Sequence, residues 1–130
     1  MSKTAVVILA GGLGKRMQSD LPKALVPLHG KPLIQHVLNA VADSGLSSQP
    51  IVVVGKKREM VMEALGSSCR YAIQEEQLGT GHAVLMAKNS LTSDTDAVLV
   101  LYADQPFITG ETIKSLADLR EKTNAKVAMA

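Results

Sequence analysis

Cysteine, aromatic side chains and long apolar runs are all scarce in this chain of 130 residues. The single cysteine, Cys69, excludes an internal disulfide and a cysteine-rich metal cluster, so we expect a reducing, cytoplasmic location. No apolar run approaches the roughly 20 residues needed to span a bilayer, so we expect no membrane partner. The apolar run from Ala5 to Ala10 is also too short for a signal peptide.

The charge and aromatic content argue against a nucleic-acid partner. The chain has one Phe, two Tyr and no Trp, and its formal net charge is only +2. Nucleic-acid binders are usually more basic and use aromatic rings for stacking.

With 46% apolar residues the chain can still bury a core, and its length suits one domain.

Strand and helix signals alternate along the chain. Buried strands are predicted from apolar, β-branched runs at 5–9, 51–54, 70–73 and 97–102, with the onset of a fifth at 126–129. Helices are predicted over 32–44, 57–65, 81–89 and 111–122. Buried strands alternating with helices indicate an α/β fold, Rossmann-like and three-layered, with a mostly parallel sheet.

A glycine-rich loop follows the first strand. Gly11, Gly12 and Gly14 would let backbone N–H groups approach phosphates, and Lys15 and Arg16 add positive charge. The spacing matches neither the P-loop nor the dinucleotide-binding fingerprint. The loop by itself fits a phosphate site and an ordinary tight turn equally well.

Lys23 lies a few residues beyond this loop. It follows Pro22, which stiffens the backbone, and a third cation beside Lys15 and Arg16 would suit a triphosphate. Taken alone, Lys23 also fits an ordinary surface turn.

A polar loop at 74–83 precedes the third helix. The carboxamide of Gln74 can read the edge of a base, since it carries a donor and an acceptor in one plane. Gly79 and Gly81 would allow close backbone approach, although they also fit a helix-capping turn. For His82 we predict a hydrogen-bonded structural role rather than metal ligation, because no partner histidine has suitable spacing.

Asp104 comes just after the strand at 97–102. Ligands of open α/β sheets bind at the carboxyl ends of strands, so Asp104 would face the glycine-rich loop if the first and fourth strands are neighbours. A carboxylate opposite phosphates makes chemical sense through Mg²⁺. The alternative is an Asp that caps the turn before Pro106.

Together these segments resemble the nucleotidyltransferase superfamily that activates sugar phosphates. The resemblance is greatest to the uridyltransferase domain of bacterial N-acetylglucosamine-1-phosphate uridyltransferases, and it extends over essentially the whole chain. The matching stretches are LAGGLGKRMQSDLPKALVPLHGKPLIQHVL (9–38), QEEQLGTGHAV (74–84) and VLVLYADQPFI (98–108). The Gly11-Gly12 pair and Ala103 depart from the family's usual Ala-Gly and Tyr-Gly-Asp, and a double glycine with Asp-Gln-Pro also occurs in molybdenum-cofactor guanylyltransferases.

The resemblance implies a role for each matching residue. Arg16 and Lys23 would be catalytic, holding the triphosphate as pyrophosphate leaves, and Asp104 would be a Mg²⁺ ligand. Gln74, Gly79 and Thr80 would contact uracil. The implied nucleotide-binding residues are Leu9, Ala10, Gly11, Gly12, Gly14, Lys23, Gln74, Gly79, Thr80, Tyr102 and Ala103.

The implied reaction converts UTP and N-acetylglucosamine 1-phosphate to UDP-N-acetylglucosamine and pyrophosphate, with Mg²⁺ as cofactor, in cell-wall precursor synthesis. The resemblance also implies that residues 1–130 are the N-terminal, nucleotide-binding part of a longer catalytic domain. The remainder would supply a second metal ligand and most sugar contacts. The alternatives are another NTP:sugar-phosphate or molybdenum-cofactor-type nucleotidyltransferase, and a non-catalytic nucleotide-binding fragment.

Overall fold

The computed structural model describes residues 4–11, 22–46, 49–55, 57–76 and 78–123. Six strands are present there: β1 (Thr4–Leu9), β2 (Pro27–Leu28), β3 (Lys31–Pro32), β4 (Ile51–Val54), β5 (Arg70–Ile73) and β6 (Ala97–Tyr102). The helices are α1 (Leu33–Ser44), α2 (Arg58–Leu65), α3 (Thr80–Met86) and α4 (Gly110–Thr123). Short 3₁₀ turns cover Lys23–Leu25, Gly66–Ser68 and Lys88–Ser90. The predicted strand onset at 126–129 lies outside the described residues.

Four strands form the main sheet, in the order β5-β4-β1-β6, and all of them run parallel. In the register of this sheet Val7 of β1 lies opposite Ile51 on one side and Val100 on the other. The first strand and the strand at 97–102 are therefore neighbours, which is the condition on which the expected position of Asp104 depended. The chain builds outward from β1 to β5, then returns to the other side of β1, so β1 and β6 flank a topological switch point.

The sheet is covered on both faces because its strands are apolar on both faces. Val6 and Ile8 of β1 join one buried cluster with α1, α2 and α4, to which Ile113 belongs. Val7 joins a second cluster with Ala83 and Ala87 on the opposite face. Side chains alternate between the faces of a strand, so β1 serves both cores, and each fully buried Val or Ile contributes about 1.5–3 kcal/mol. The predicted three-layer parallel α/β fold is confirmed.

Helices α1 and α4 approach each other closely at Gly110. A methyl group built on Gly110 would lie 2.7 Å from Cβ of Asp43 and 2.9 Å from the carbonyl oxygen of Ala40. Real Cβ atoms do not come this close to backbone, so only glycine fits this helix crossing. The contact holds α4 against the same face of the sheet as α1.

Two features differ from the sequence prediction. A small antiparallel hairpin of β2 and β3 precedes α1, with His29 (φ 53°) and Gly30 (φ 80°) in its turn. The helix predicted over 81–89 is α3, which ends at Met86 and passes into the 3₁₀ turn Lys88–Ser90. In the part of the chain that the structure describes, no helix has both the length and the apolarity that a membrane crossing requires.

Candidate functional site

A cavity of about 320 Å³ opens at the carboxyl ends of the parallel strands. Residues that directly follow β1, β5 and β6 contribute to its walls, together with the turn at Lys23 and the start of α3. The lining residues are Leu9, Ala10, Gly11, Lys23, Ala24, Gln74, Gly79, Thr80, Ala83, Tyr102, Ala103 and Asp104. The cavity therefore lies where the switch point of the sheet predicts a ligand.

The residues that follow β1 and β6, Ala10 and Ala103, continue the hydrogen bonding of the sheet at the cavity. The Ala10 N–H donates to the carbonyl of Val53 at 2.8 Å, and the Ala103 N–H donates to the carbonyl of Leu9 at 3.1 Å. Both alanines are buried. These bonds extend the sheet beyond its strands and fix the direction in which Asp104 leaves it.

Lys23 and Asp104 form an ion pair in the cavity. The Lys23 Nζ lies 2.8 Å from Oδ2 of Asp104, and the two side chains are 46% and 37% exposed. Ala24, buried at 2% exposure, anchors the 3₁₀ turn that carries Lys23. A pair this open to water is weak and can exchange partners, because solvent screens its attraction. Lys23 and Asp104 are the charged side of the cavity.

Gln74 is held far more tightly. It is 3% exposed and follows β5, where its backbone N–H donates to the carbonyl of Val54 at 2.8 Å. Its side-chain Nε2 donates to the Gly79 carbonyl at 3.3 Å and to Nδ1 of His82 at 3.0 Å. The hydrogen bond predicted for His82 is therefore present. Gln74, Gly79 and Thr80 are the amide side of the cavity.

Gly79 connects the amide side to α3. Its φ of 108° with ψ of 174° belongs to a backbone region open almost only to glycine. This conformation lets one carbonyl accept two bonds, from the Ala83 N–H at 3.1 Å and from the Gln74 amide. Gly79 thus occupies the capping turn of α3 that its sequence position also fits, and its close approach to a ligand stays a prediction.

The two sides are separated by the width of the sheet. Gln74 follows β5 at one edge and Asp104 follows β6 at the other, three strand spacings apart, or about 14 Å at roughly 4.8 Å per spacing. The site can thus hold an elongated ligand whose two ends differ in chemistry.

The structure brings together the predicted site residues that it describes. These lie on the cavity wall: Leu9, Ala10, Gly11, Lys23, Gln74, Gly79, Thr80, Tyr102, Ala103 and Asp104. Gly12, Gly14 and Arg16 lie outside the described residues. Two lining residues, Ala24 and Ala83, were not predicted for the site. An alanine carries no chemical signal, and only the tertiary packing places these two there.

Comparisons with known proteins show which family this chain resembles. The family model described as "MobA-like NTP transferase domain" matches residues 6–130. The "Bifunctional protein GlmU" of Heliobacterium modesticaldum is 46% identical over 96% of this chain, which corresponds to 27% of that protein. The chain thus spans about a quarter of this relative's length.

Two solved structures share the fold. A nucleotidyl transferase from Methanothermobacter thermautotroptrophicus has a TM-score of 0.77 at 25% identity, covering 91% of this chain and 58% of the other. A CMP:2-keto-3-deoxy-manno-octonic acid synthetase complexed with CTP has a TM-score of 0.69 at 25% identity, covering 95% of this chain and 49% of the other.

Proposed function

The chain belongs to the family of MobA-like NTP transferase domains, and from that premise we propose that it serves uridylyl transfer from UTP to N-acetylglucosamine 1-phosphate. The products are UDP-N-acetylglucosamine and pyrophosphate. Similarity to the bifunctional GlmU proteins supports a sugar-phosphate nucleotidyltransferase over other members of the family. A cytoplasmic location and the assignment of residues 1–130 to the nucleotide-binding part of a longer catalytic domain remain predictions.

One observation carries the proposal: a single cavity joins a buried carboxamide to an exposed cation and carboxylate across the carboxyl ends of a parallel sheet. The amide side suits a base, because the Gln74 carboxamide can hydrogen-bond a base edge in its plane. The charged side suits phosphates, which Lys23 attracts as a point charge. Gly11 also lines the cavity, where the absence of a side chain would let a phosphate approach the protein backbone.

The chemistry asks little of the protein beyond positioning and charge. An oxygen of the sugar 1-phosphate attacks the α-phosphorus in line, the bond to the bridging oxygen breaks, and pyrophosphate leaves with the electron pair. The attacking oxygen is already anionic at neutral pH, so no side chain has to remove a proton. Lys23 stabilises the growing negative charge on the leaving group, and fixed backbone contacts hold the nucleotide in line.

The residues of the cavity fit a divalent cation, for which Mg²⁺ is the proposed cofactor. Mg²⁺ typically keeps several waters and binds through one or two carboxylates plus substrate phosphates, so the Asp104 carboxylate suits it. Over the described ranges no cluster of three or more His, Cys, Asp and Glu side chains offers an alternative site. When bound, the ion supplies neutralisation of phosphate charge. Asp104 would hold the ion, and Lys23 would be available to pair with a phosphate.

A second candidate is nucleotide binding without turnover. The chain spans 27% of the GlmU relative, and the predicted sugar contacts and second metal ligand lie outside it. The family name and the Gly11-Gly12 pair also leave open another nucleotide or acceptor, as in molybdenum-cofactor enzymes.

The experiment measures pyrophosphate release from UTP and N-acetylglucosamine 1-phosphate with and without Mg²⁺, alongside calorimetric binding of UTP, GTP, CTP and dTTP. Release that requires all three components supports the proposal. Binding of UTP without release supports the second candidate for this chain. Preference for GTP over UTP would favour the guanylyltransferase alternative.

A further inference from the structure

The side-chain amide of Gln74 contacts His82, a residue that does not line the cavity. Gln74 lies on the cavity wall, whereas His82 does not, and the two meet through the 3.0 Å contact between Nε2 and Nδ1. The second Nε2 contact, to the Gly79 carbonyl, is longer at 3.3 Å. Both partners accept hydrogen bonds, so both N–H groups of the amide are engaged by protein.

This orientation requires His82 to act as an acceptor. A carbonyl oxygen has no proton to give, so the contact with Gly79 identifies the amide end facing it as the NH₂ group. The same NH₂ group meets Nδ1 of His82 at 3.0 Å, and because an amide nitrogen can only donate, Nδ1 accepts this hydrogen bond. His82 is half-buried and lies in the first turn of α3, which begins at Thr80.

An amide held in this way offers a ligand its oxygen. That oxygen accepts a hydrogen bond from a ring N–H, which uracil carries at N3 in the plane of the base. Cytosine carries an unprotonated N3, an acceptor that would face another acceptor. An unpaired buried acceptor is expensive, so the orientation of one amide can decide between two pyrimidines of almost equal shape.

We propose that His82 is a positioning residue for base selection: its Nδ1 holds the Gln74 amide with the oxygen towards the base, and so favours a nucleobase with a ring N–H over cytosine. The inference rests on the proposed function, because it assumes that a nucleotide base occupies the amide side of the cavity. It assigns His82 no contact with the ligand and no part in the reaction itself.

The test measures dissociation constants for UTP and CTP by calorimetry with Mg²⁺ present, and reports the ratio of the CTP value to the UTP value. His82→Phe keeps an aromatic ring but removes the acceptor, so the ratio should fall about tenfold. His82→Asn presents Oδ1 near the position of Nδ1, so it should keep the ratio within about twofold. Rescue by Asn distinguishes hydrogen-bond positioning from mere packing.

A second histidine supplies the control. His36 is also half-buried on a helix, and its Nε2 donates to the carbonyl of Leu28 at 2.8 Å, outside the cavity. His36→Phe should leave the ratio unchanged. If His82→Phe does not fold, His82→Lys decides instead, since its donor-only side chain cannot accept from Gln74 and should lower the ratio as well.

The outcomes distinguish failure of the role of His82 from failure of the proposed function. A folded His82→Phe protein with the unaltered ratio overturns the role of His82 while leaving the proposed function in place. Equal binding of UTP and CTP by the unaltered chain also overturns it, with nucleotide binding intact. Binding of no nucleotide at all overturns the proposed function and this inference together.

Discussion

The amide side and the charged side of the cavity are built under opposite physical conditions. Gln74 is 3% exposed and has both amide protons engaged by protein, whereas Lys23 and Asp104 are more than a third exposed and contact each other. Burial makes a polar group costly to leave unpaired, so the amide side is set before a ligand arrives. Exposure makes an ion pair weak, so the charged side can rearrange around one.

The contrast separates selection from chemistry. A rigid carboxamide discriminates between bases but contributes little to the reaction at phosphorus. A cation and a carboxylate with exchangeable partners serve phosphate and metal, whose charges change as the reaction proceeds. Substitutions on the two sides should therefore have different signatures, and the predictions below run from the largest expected effect to the smallest.

Asp104→Ala should have the largest effect on function and almost none on stability. We expect the Mg²⁺-dependent part of nucleotide binding, and any turnover, to fall roughly 100-fold or more, because the carboxylate for the cation is gone. The free energy of unfolding should change by less than about 1 kcal/mol, as the pair with Lys23 is exposed. Calorimetry with Mg²⁺ and with chelator, plus urea unfolding, measures both.

Without Mg²⁺ the same variant should bind the nucleotide as well as the unaltered chain or better. Removal of the carboxylate takes away its repulsion of phosphate and frees Lys23 from the 2.8 Å pair. Mg²⁺-dependent binding that survives in Asp104→Ala would remove this residue from the proposed metal site.

Gly79→Ala should destabilise the fold by about 1–3 kcal/mol and weaken nucleotide binding, because φ of 108° strains any residue with a Cβ. The matched control is Gly81→Ala in α3, which has open space around it and should stabilise by about 0.5–1 kcal/mol. Urea unfolding and UTP calorimetry measure the pair. Equal effects at the two glycines would contradict the strained conformation at Gly79.

A third glycine separates stability from binding. Gly110→Ala should also destabilise the protein, by roughly 1–3 kcal/mol, since its methyl group would meet Asp43 at 2.7 Å. Gly110 lies at the contact of α1 and α4, outside the cavity wall, so nucleotide affinity of the folded protein should be retained. Loss of affinity here would mean that Gly79→Ala acts through general destabilisation.

Gln74→Ala should lower the free energy of unfolding by about 1–3 kcal/mol, because it leaves the partners of a buried amide unsatisfied. Lys23→Ala, the comparable truncation on the charged side, should cost less than about 1 kcal/mol. Chemical denaturation of both variants tests the difference directly. A larger loss in Lys23→Ala would reverse the assignment of the rigid and the exchangeable side.

Lys23→Gln should change the salt dependence of nucleotide binding more than its stability. We expect affinity to fall between ~0.05 M and ~0.5 M salt in the unaltered chain, and to fall less in the variant, because one screened cation–phosphate interaction is absent. Lys31→Gln, on the β2–β3 hairpin outside the cavity, is the control and should keep the original slope. Parallel slopes for all three proteins would exclude Lys23 from the phosphate site.

Much of the fold follows from local patterns, and the misses have physical causes. The parallel strands are β-branched runs such as 51–54. Such a run predicts a strand even when its neighbours in the sheet are not known. Strands β2 and β3 are two residues each, too short to show alternation, and His29 adopts positive φ without the usual Gly or Asn signal. The end of α3 at Met86 lacks a glycine or proline that would mark it.

The site divides in the same way. The chemistry-bearing residues could be predicted from their side chains and their places in the sequence. Lys23 is a cation just beyond the glycine-rich loop, Gln74 has a carboxamide after a strand, and Asp104 is a carboxylate after β6. Ala24 and Ala83 were not visible, since an alanine is typical of any core. The assignment of base, acceptor and metal to these residues remains the proposal that the experiments above address.

The sequence by itself determined the kinds of structure present: apolar β-branched strands, helices between them, and polar residues at strand ends. These are local properties of side-chain pattern and backbone preference. Only the tertiary structure decided that β6 lies beside β1, that Lys23 pairs with Asp104, and that His82 holds the Gln74 amide. Such contacts join residues distant in the chain, and their geometry exists only once the sheet and its covering helices have packed.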